Sequence, residues 1–391
     1  RNHTHRETVA RLQAAGWVLT TYETMRDRIE LFMGVRWAVA VFDEAQKIKN
    51  PVARVTEMAK AVGADFTLAM TGTPVENRLA DLWSIIDAVH PGFLGPLKDF
   101  HQAYEIPAAD NPAQASGLVE RILGGDPPLV LRRLKADHLQ GLPERRVEEH
   151  AEEMPLAQSA AYDAVIERAR ARRGERGAML EALHGLRRIS LMAGDLGPEG
   201  LTDDVVASSA RLSALVNVLD RVHAAGEKAL VFVEYLDVQQ ALLPYLQKRY
   251  GLERPPPVIS GSVPGTVRQR LVDAFQNSPR GRFGVMILSP KAGGVGLTIT
   301  AANHVVHLTR WWNPAVEEQC NDRVYRIGQD KPVTIHLLHA VHPEIREHSF
   351  DLNLHALLKR KKALCEAAFA PPVATDGDLE ALYRESVEDF S

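Results

Sequence analysis

At 391 residues, with 45% hydrophobic and 25% charged side chains, the chain is too long for one ordinary core and has the balance of a globular protein of two or three domains. No apolar run approaches the roughly 20 residues that cross a bilayer, and no signal-peptide layout opens the sequence, so a cytoplasmic location is expected. A net charge of −4 excludes a uniformly basic nucleic-acid coat while leaving room for a local basic groove.

From 1 to about 100, short apolar runs alternate with amphipathic helical patterns, the signature of βαβ units and a parallel sheet. Strands are predicted at 17–21, 37–42 and 66–70, with helices around 51–63 and 79–89. Residues 101–206 read as a helical insertion and linker, broken at Gly124-Gly125-Asp126-Pro127-Pro128 and across 194–200. Within it, Ala160, Ala164, Ile166 and Ala169 recur at helical spacing with arginines opposite, which predicts a surface helix over 157–173. From 207 to 345 the alternation returns, with strands at 229–234, 258–260, 285–289, 304–308 and 333–338 and helices near 237–250, 266–277 and 315–326. Residues 346–391 are expected to form a helical brace and an acidic tail. The fold class is therefore α/β, with two parallel-sheet lobes, helical material between them and a C-terminal helix, a layout that suggests a cleft with movable walls. Opening at Arg1 with no initiator Met, the sequence reads as part of something longer.

Asp43-Glu44 follows directly on the apolar strand 37–42, at the carboxyl end where open α/β sheets bind ligands. One carboxylate there can hold Mg²⁺ through water while its neighbour accepts a proton from an attacking water, although Asp-Glu at a strand end also serves as a helix N-cap. Thr71-Gly72-Thr73-Pro74 ends the next strand, and its hydroxyls can bond to the acidic loop or simply make a turn. The Gly-rich loop Lys291-Ala292-Gly293-Gly294-Val295-Gly296 can let backbone N–H groups approach a phosphate or sugar. Arg323 and Arg326, framed by Gln319 and Gln329, lie three apart in a helical pattern, so their guanidiniums are expected to point the same way. Paired guanidiniums suit the charge of phosphoryl transfer.

Other candidates read as ordinary structure. Cys320 and Cys365 are too few for a disulfide framework and lack metal-ligand spacing, which fits a reducing compartment. Strand alternation places His336 and His339 on opposite faces, so with His342 they are expected to be strand and loop histidines, not metal ligands. The basic clusters at 132–135, 168–176 and 359–362 are each read as solvated helix faces that could also meet phosphates.

Taken together, these motifs resemble those of the Swi/Snf-type ATPases of helicase superfamily two. DEAQKIKN at 43–50 is similar to the family's Walker B box, TGTPVEN at 71–77 to its third motif, SPKAGGVGLTITAANHV at 289–305 to its fifth and WWNPAVEEQCNDRVYRIGQ at 311–329 to its sixth. Thr20-Thr21-Tyr22-Glu23, Leu131 to Lys135, Leu186-Arg187-Arg188-Ile189 and Ser209 to Leu212 add lesser matches, so the resemblance covers nearly the whole chain. It implies two RecA-like lobes, ATP and Mg²⁺ as cofactors and double-stranded DNA as partner. It implies that Asp43 coordinates Mg²⁺, that Glu44 polarises the attacking water, and that Gln46, Thr71, Gly72 and Thr73 couple nucleotide state to lobe position. Gly294 and Gly296 would line the nucleotide site, Arg323 and Arg326 would be arginine fingers oriented by Gln319, and Thr20, Thr21, Trp312 and Asn313 would contact or sense DNA. The chain departs from the family at Thr309 and Arg310, where members often carry Asp, and it contains no G-x-x-x-x-G-K-[ST] phosphate loop.

The expected function is that of a monomeric ATP-dependent translocase or remodeller acting on duplex DNA. The 391 residues alone are not expected to be ATPase-competent. A non-catalytic DNA-binding module and a motor coupled to a nuclease are the alternatives. Bacterial relatives of this kind include polymerase-recycling factors and defence-island motors; the Arg/Ala-rich composition and His348-Ser349-Phe350-Asp351 resemble the defence-associated members, a resemblance that implies a role in anti-phage defence.

Overall fold

The apolar run Trp37–Phe42 forms β1 and Ala64–Ala69 forms β2, parallel to it, with Val39 opposite Phe66 and Val41 opposite Leu68. This computed structural model describes residues 5–72, 79–107, 116–131, 133, 141–175, 177–293, 296–368 and 376–388. The chain divides into two units, Arg1–Arg132 with Arg360–Val373, and Arg133–Lys359 with Ala374–Ser391.

In the first unit the helices His5–Ala14, Tyr22–Asp27, Ile29–Met33, Arg54–Ala61, Leu79–Val89, Leu97–Phe100 and Ser116–Leu123 accompany the two strands. One face of the sheet packs through Phe42 against Met25, Ala59, Ile85 and Ala88. The helix Leu79–Val89 is buried on nearly every side because it serves two clusters at once, that one through Ile85 and Ala88 and a second through Leu79, Leu82, Trp83 and Ile86. The strand predicted at 17–21 does not form. Trp17 and Leu19 are almost wholly exposed, and Thr21 is used to cap the helix that begins at Tyr22.

In the second unit six parallel strands run in the order β3-β8-β7-β4-β6-β5: Arg145–Glu153, Val333–Val341, His304–His307, Lys228–Phe232, Gly284–Leu288 and Val258–Ile259. Alternate residues feed two cores, Val231, Ile287, Val306 and Leu338 on one face and Leu230, Phe232, Met286, Val305 and Ile335 on the other. Helices Leu236–Arg249, Gly265–Gln276 and Pro314–Asn321 link the strands as expected for α/β crossovers. The predicted α/β class with parallel sheets is what forms.

The edge strand β3 lies inside the stretch read as a helical insertion. Its sequence, RRVEEHAEE, carries the charges that protect a sheet edge, so it lacks the apolar run by which the other strands announce themselves. Pairing with β3 also lengthens β8 beyond its predicted end, to Val341. The surface helix forms over Leu156–Ala171, but its buried stripe is Gln158, Ser159, Tyr162, Val165, Ile166 and Ala169, while Ala160 and Ala164 face solvent. Of the predicted stripe only Ile166 and Ala169 reach the core, and Tyr162 and Val165 supply most of the rest. The helix Phe350–Ala368 is joined to the sheet by Asp351, which is fully buried and pairs with buried Arg211 while accepting the Ala340 N–H at 2.7 Å.

Candidate functional site

The acidic loop of the first unit is stitched at both ends by backbone bonds. Met70 N–H donates to the Phe42 carbonyl at 2.8 Å, and Ala45 N–H donates to the Met70 carbonyl at 2.9 Å. Between them Glu44 sits at φ 50°, the left-handed region that costs a non-glycine residue ~1–3 kcal/mol and persists only where the surroundings over-determine it. The bend places both carboxylates in solvent at the carboxyl end of β1. The Gln46 amide donates to Glu44 Oε2 at 2.7 Å, and the Thr71 hydroxyl donates to Gln46 Oε1 at 2.7 Å. Asp43 Oδ1 accepts the Glu44 N–H at 2.9 Å. Four of the predicted residues are thus brought into one hydrogen-bonded group. Gly72 follows Thr71 in a bend where an added Cβ would meet nothing, so space alone does not require glycine there. Thr73 lies outside the described residues.

Tyr22 joins this group, and sequence reasoning gave it no role. Its hydroxyl donates to the Asp43 carbonyl at 2.8 Å, and burial, with Asp43 and Glu44 adding to it, pushes the phenol well above its ordinary range. It therefore stays a neutral donor bracing the loop. Tyr22 falls within the Thr20 to Glu23 match, which drew attention to the threonines. Those are exposed, and Thr21 accepts the Thr24 N–H at 3.1 Å as a helix cap.

The arginine segment of the second unit departs from its helical expectation. The helix Pro314–Asn321 ends because the next bonds tighten: Arg323 N–H reaches the Cys320 carbonyl and Val324 N–H the Asn321 carbonyl, each three residues back. The Arg323 carbonyl instead accepts the Ile299 N–H at 2.8 Å. Arg323 is buried, with Nη1 toward the Leu297 carbonyl at 3.4 Å, whereas Arg326 is exposed in a turn closed by Gln329. The two do not share a helical face. Gln319 is half-buried on the helix itself. Gln329 is buried and its amide donates to the carbonyls of Thr300, Ala302 and Val324, which pins the Gly-rich loop's exit to the arginine turn. Gly296 takes φ +54°, a conformation that favours glycine, while Gly294 lies outside the described residues.

Asn313 caps that helix by accepting the Ala315 N–H at 2.9 Å, and Trp312 packs edge-on against Phe350 under the Arg187 guanidinium. The departure at Thr309 and Arg310 has a structural explanation. Thr309 Oγ1 accepts the Glu234 N–H, and Arg310 clasps buried Glu317 through two bonds of 2.8 and 2.9 Å. Burial acts to raise the Glu317 pKa, but Arg310 and His307 outweigh it and hold the carboxylate below its usual range. Glu317 also accepts the Trp311 N–H, so the pair fixes the start of the tryptophan loop.

Residues 1–192 match the SNF2-related domain and residues 210–328 match the helicase conserved C-terminal domain, in the order the two sets of motifs occupy. The chain belongs to the SNF2 family. It is 35% identical over 98% of its length to Zorya protein ZorD of Escherichia coli, and 33% identical over 84% of its length to the putative ATP-dependent helicase/translocase YwqA of Bacillus subtilis. It spans 37% and 36% of those two proteins, little more than a third of each. In fold, 64% of the chain covers all of the C-terminal part of the Fun30 ATPase domain with a TM-score of 0.51 at 19% identity.

Within this SNF2 chain the basic cluster at 168–176 is largely neutralised by its own surroundings. Arg172 pairs with Glu175 and Glu181, Arg173 with Glu388, and Arg170 donates to the Val387 carbonyl. That leaves it a poor candidate for phosphate contact. No helix among the described residues is long and apolar enough to cross a membrane.

Proposed function

We propose that the full-length protein is an ATP-driven motor that translocates along double-stranded DNA, with a place in bacterial anti-phage defence. The observation that carries this reading is the run Glu44, Gln46, Thr71 beside an exposed Asp43. A carboxylate held by an amide, itself held by a hydroxyl at the end of the next strand, ties the posture of a general base to the loop after β2. Asp43 fits a magnesium ion by its chemistry, an exposed oxygen donor at a strand end with one oxygen occupied by the Glu44 N–H. Bound there, the ion would neutralise phosphate charge. Glu44 would orient water, Arg326 would reach developing phosphate charge from its exposed turn, and buried Arg323 would combine that role with holding the loop at Ile299. Gln319 would orient the arginines, and Thr73, Gly294 and Gly296 would complete the nucleotide contacts.

Thr20 and Thr21 are accessible to a DNA backbone, while Trp312 and Asn313 would act by shaping the loop that meets it. Phosphate-dominated contacts predict sequence-insensitive, steeply salt-dependent binding. The defence role is supported by the near-complete coverage of the chain in its match to ZorD.

In the full-length protein, Glu44→Gln is expected to abolish DNA-stimulated ATP hydrolysis and protection against phage. Arg326→Ala should lower turnover by ~10³ to 10⁵, about 4 to 7 kcal/mol of barrier. Near-normal turnover by either variant rejects the assignments. Triplex displacement without strand separation is the expected motor signature. The 391 residues alone, with no G-x-x-x-x-G-K-[ST] motif, should bind ATP weakly, and micromolar binding by calorimetry would refute that.

A further inference from the structure

We propose that Glu148, His150 and His336 form a zinc site on the β3 edge of the six-stranded sheet, using none of the nucleotide residues. The parallel register sets Glu148 opposite His336, and His150, two residues further along β3, returns to the same face. His150 Nε2 lies 3.0 Å from His336 Nδ1, Glu148 Oε2 lies 3.5 Å from His336 Nδ1, and it lies 3.7 Å from His150 Nε2. Donors held about 2.0 to 2.1 Å from a tetrahedral zinc stand about 3.3 Å apart, so this triangle is already close to the size zinc imposes. Three protein donors leave the fourth position to water.

The proton inventory directs a lone pair into that triangle. Glu227 is ionised: burial acts to raise its pKa, but bonds from Asn303, His304 and Lys331 prevail and hold it at about 2. It therefore accepts from His304 Nε2 at 2.8 Å, which leaves His304 Nδ1 as the acceptor facing His336 Nε2 at 3.0 Å. His336 must then carry its proton on Nε2 and present an unprotonated Nδ1 to His150 and Glu148. Such a carboxylate, imidazole, imidazole relay is the outer support that metal-binding histidines use to fix their tautomer. Without metal, the His150 Nε2 proton fills the triangle. Zinc needs only that this proton move to Nδ1, with no net deprotonation. The competing group is Arg221, whose exposed guanidinium lies 3.8 Å from Glu148 and must swing aside.

A second triangle on the opposite face, Glu149, His339 and His355, fails the same proton test. The Arg310 guanidinium donates to His355 Nδ1 at 2.9 Å, so the proton of His355 sits on Nε2, the atom 3.3 Å from Glu149. The donor is blocked and a cation stands next to it. Alternation did place His336 and His339 on opposite faces, as the sequence implied. What it could not show is that β3 supplies one face with a partner histidine in zinc geometry.

The test uses the tag-free 391-residue chain, stripped with chelator and titrated with Co²⁺ and then Zn²⁺. One equivalent of Co²⁺ should give the intense visible bands of a four-coordinate ion, displaced by Zn²⁺, and Zn²⁺ should raise the melting temperature. His150→Ala, at a half-buried edge position, should weaken binding at least 100-fold and remove the melting shift. His304→Asn should weaken it ~10 to 100-fold through the outer support alone. His355→Ala should leave it unchanged. Absence of saturable binding, equal binding by wild type and His150→Ala, or loss only in His355→Ala each overturns the site. His336→Ala is avoided as the deciding variant because its burial puts folding at risk.

Discussion

In the six-stranded sheet Leu230, Val231 and Phe232 on β4 and Met286, Ile287 and Leu288 on β6 are all 0% exposed, whereas in the two-stranded sheet Val39, Val41, Phe66 and Leu68 are 54%, 49%, 61% and 41% exposed along one face. Both sheets are parallel, and β1 in the smaller and β4 and β6 in the larger arise from apolar runs. In the larger one, helices cover both faces and the runs become core. In the smaller one, among the described residues, helices cover the face that holds Phe42, and Val39, Val41, Phe66 and Leu68 present an apolar surface on the other. Burial on two faces, not strand propensity, should therefore separate the two units energetically. The functional residues invert that order, since the less covered sheet carries the more exposed chemistry, Asp43 and Glu44, on a strained but tightly stitched turn.

The strongest way to break this comparison is Arg211→Ala. It leaves Asp351 buried without its cation, and removing one partner of a buried pair costs ~3 to 5 kcal/mol. Denaturant melts followed by hydrogen exchange should show that loss in the second unit alone, and an equal loss in both units would refute the separation. Ile287→Ala comes next. It opens a cavity at the centre of the larger sheet and should cost ~2 to 5 kcal/mol by the same measurement.

Acid provides a third, smaller test. His336 titrates at about 3 in the folded chain because of burial, aided by His304 and His150, against an unfolded value near 6.5. Between those values the unfolded state binds the extra proton, so stability is complete above the unfolded value and falls as pH drops through the window. In the chelator-stripped chain the second unit should lose about 2 kcal/mol from this residue by pH 5, an amount His336→Gln should largely remove from the pH dependence. A flat profile from pH 7 to 5 contradicts it.

What could be read in the sequence follows the same physical divide. β4, β6 and most of β8 were legible because a strand buried on both faces is a continuous apolar run. β3 was not, because an edge strand hides among Arg, Glu and His. The stretch 17–21 has the apolar and β-branched residues of a strand, yet Thr21 serves as a helix cap and no strand forms there. At the site, Asp43, Glu44, Gln46 and Thr71 were found through motif and strand end, but the left-handed turn at Glu44 and the brace from Tyr22 depend on contacts no spacing encodes. Arg323 and Arg326 were read at helical spacing, yet the Ile299 N–H, held by a distant loop, captures the Arg323 carbonyl and the segment leaves the helix.

The smallest expected effect sharpens the comparison most. Phe66→Ala removes a large ring that is 61% exposed, and surface substitutions of this kind usually change stability by less than ~0.5 kcal/mol. Set beside Ile287→Ala, the ratio measures how far the two sheets differ in cover. The measurement should be made at two protein concentrations. If Phe66→Ala costs little at both, the apolar face formed with Val39, Val41 and Leu68 is open in this chain. If it costs ~2 kcal/mol or more, and more at the higher concentration, the face is buried against a second copy, because stability gained through association grows with protomer concentration. The contrast between the sheets would then belong to the isolated chain and not to the assembled one.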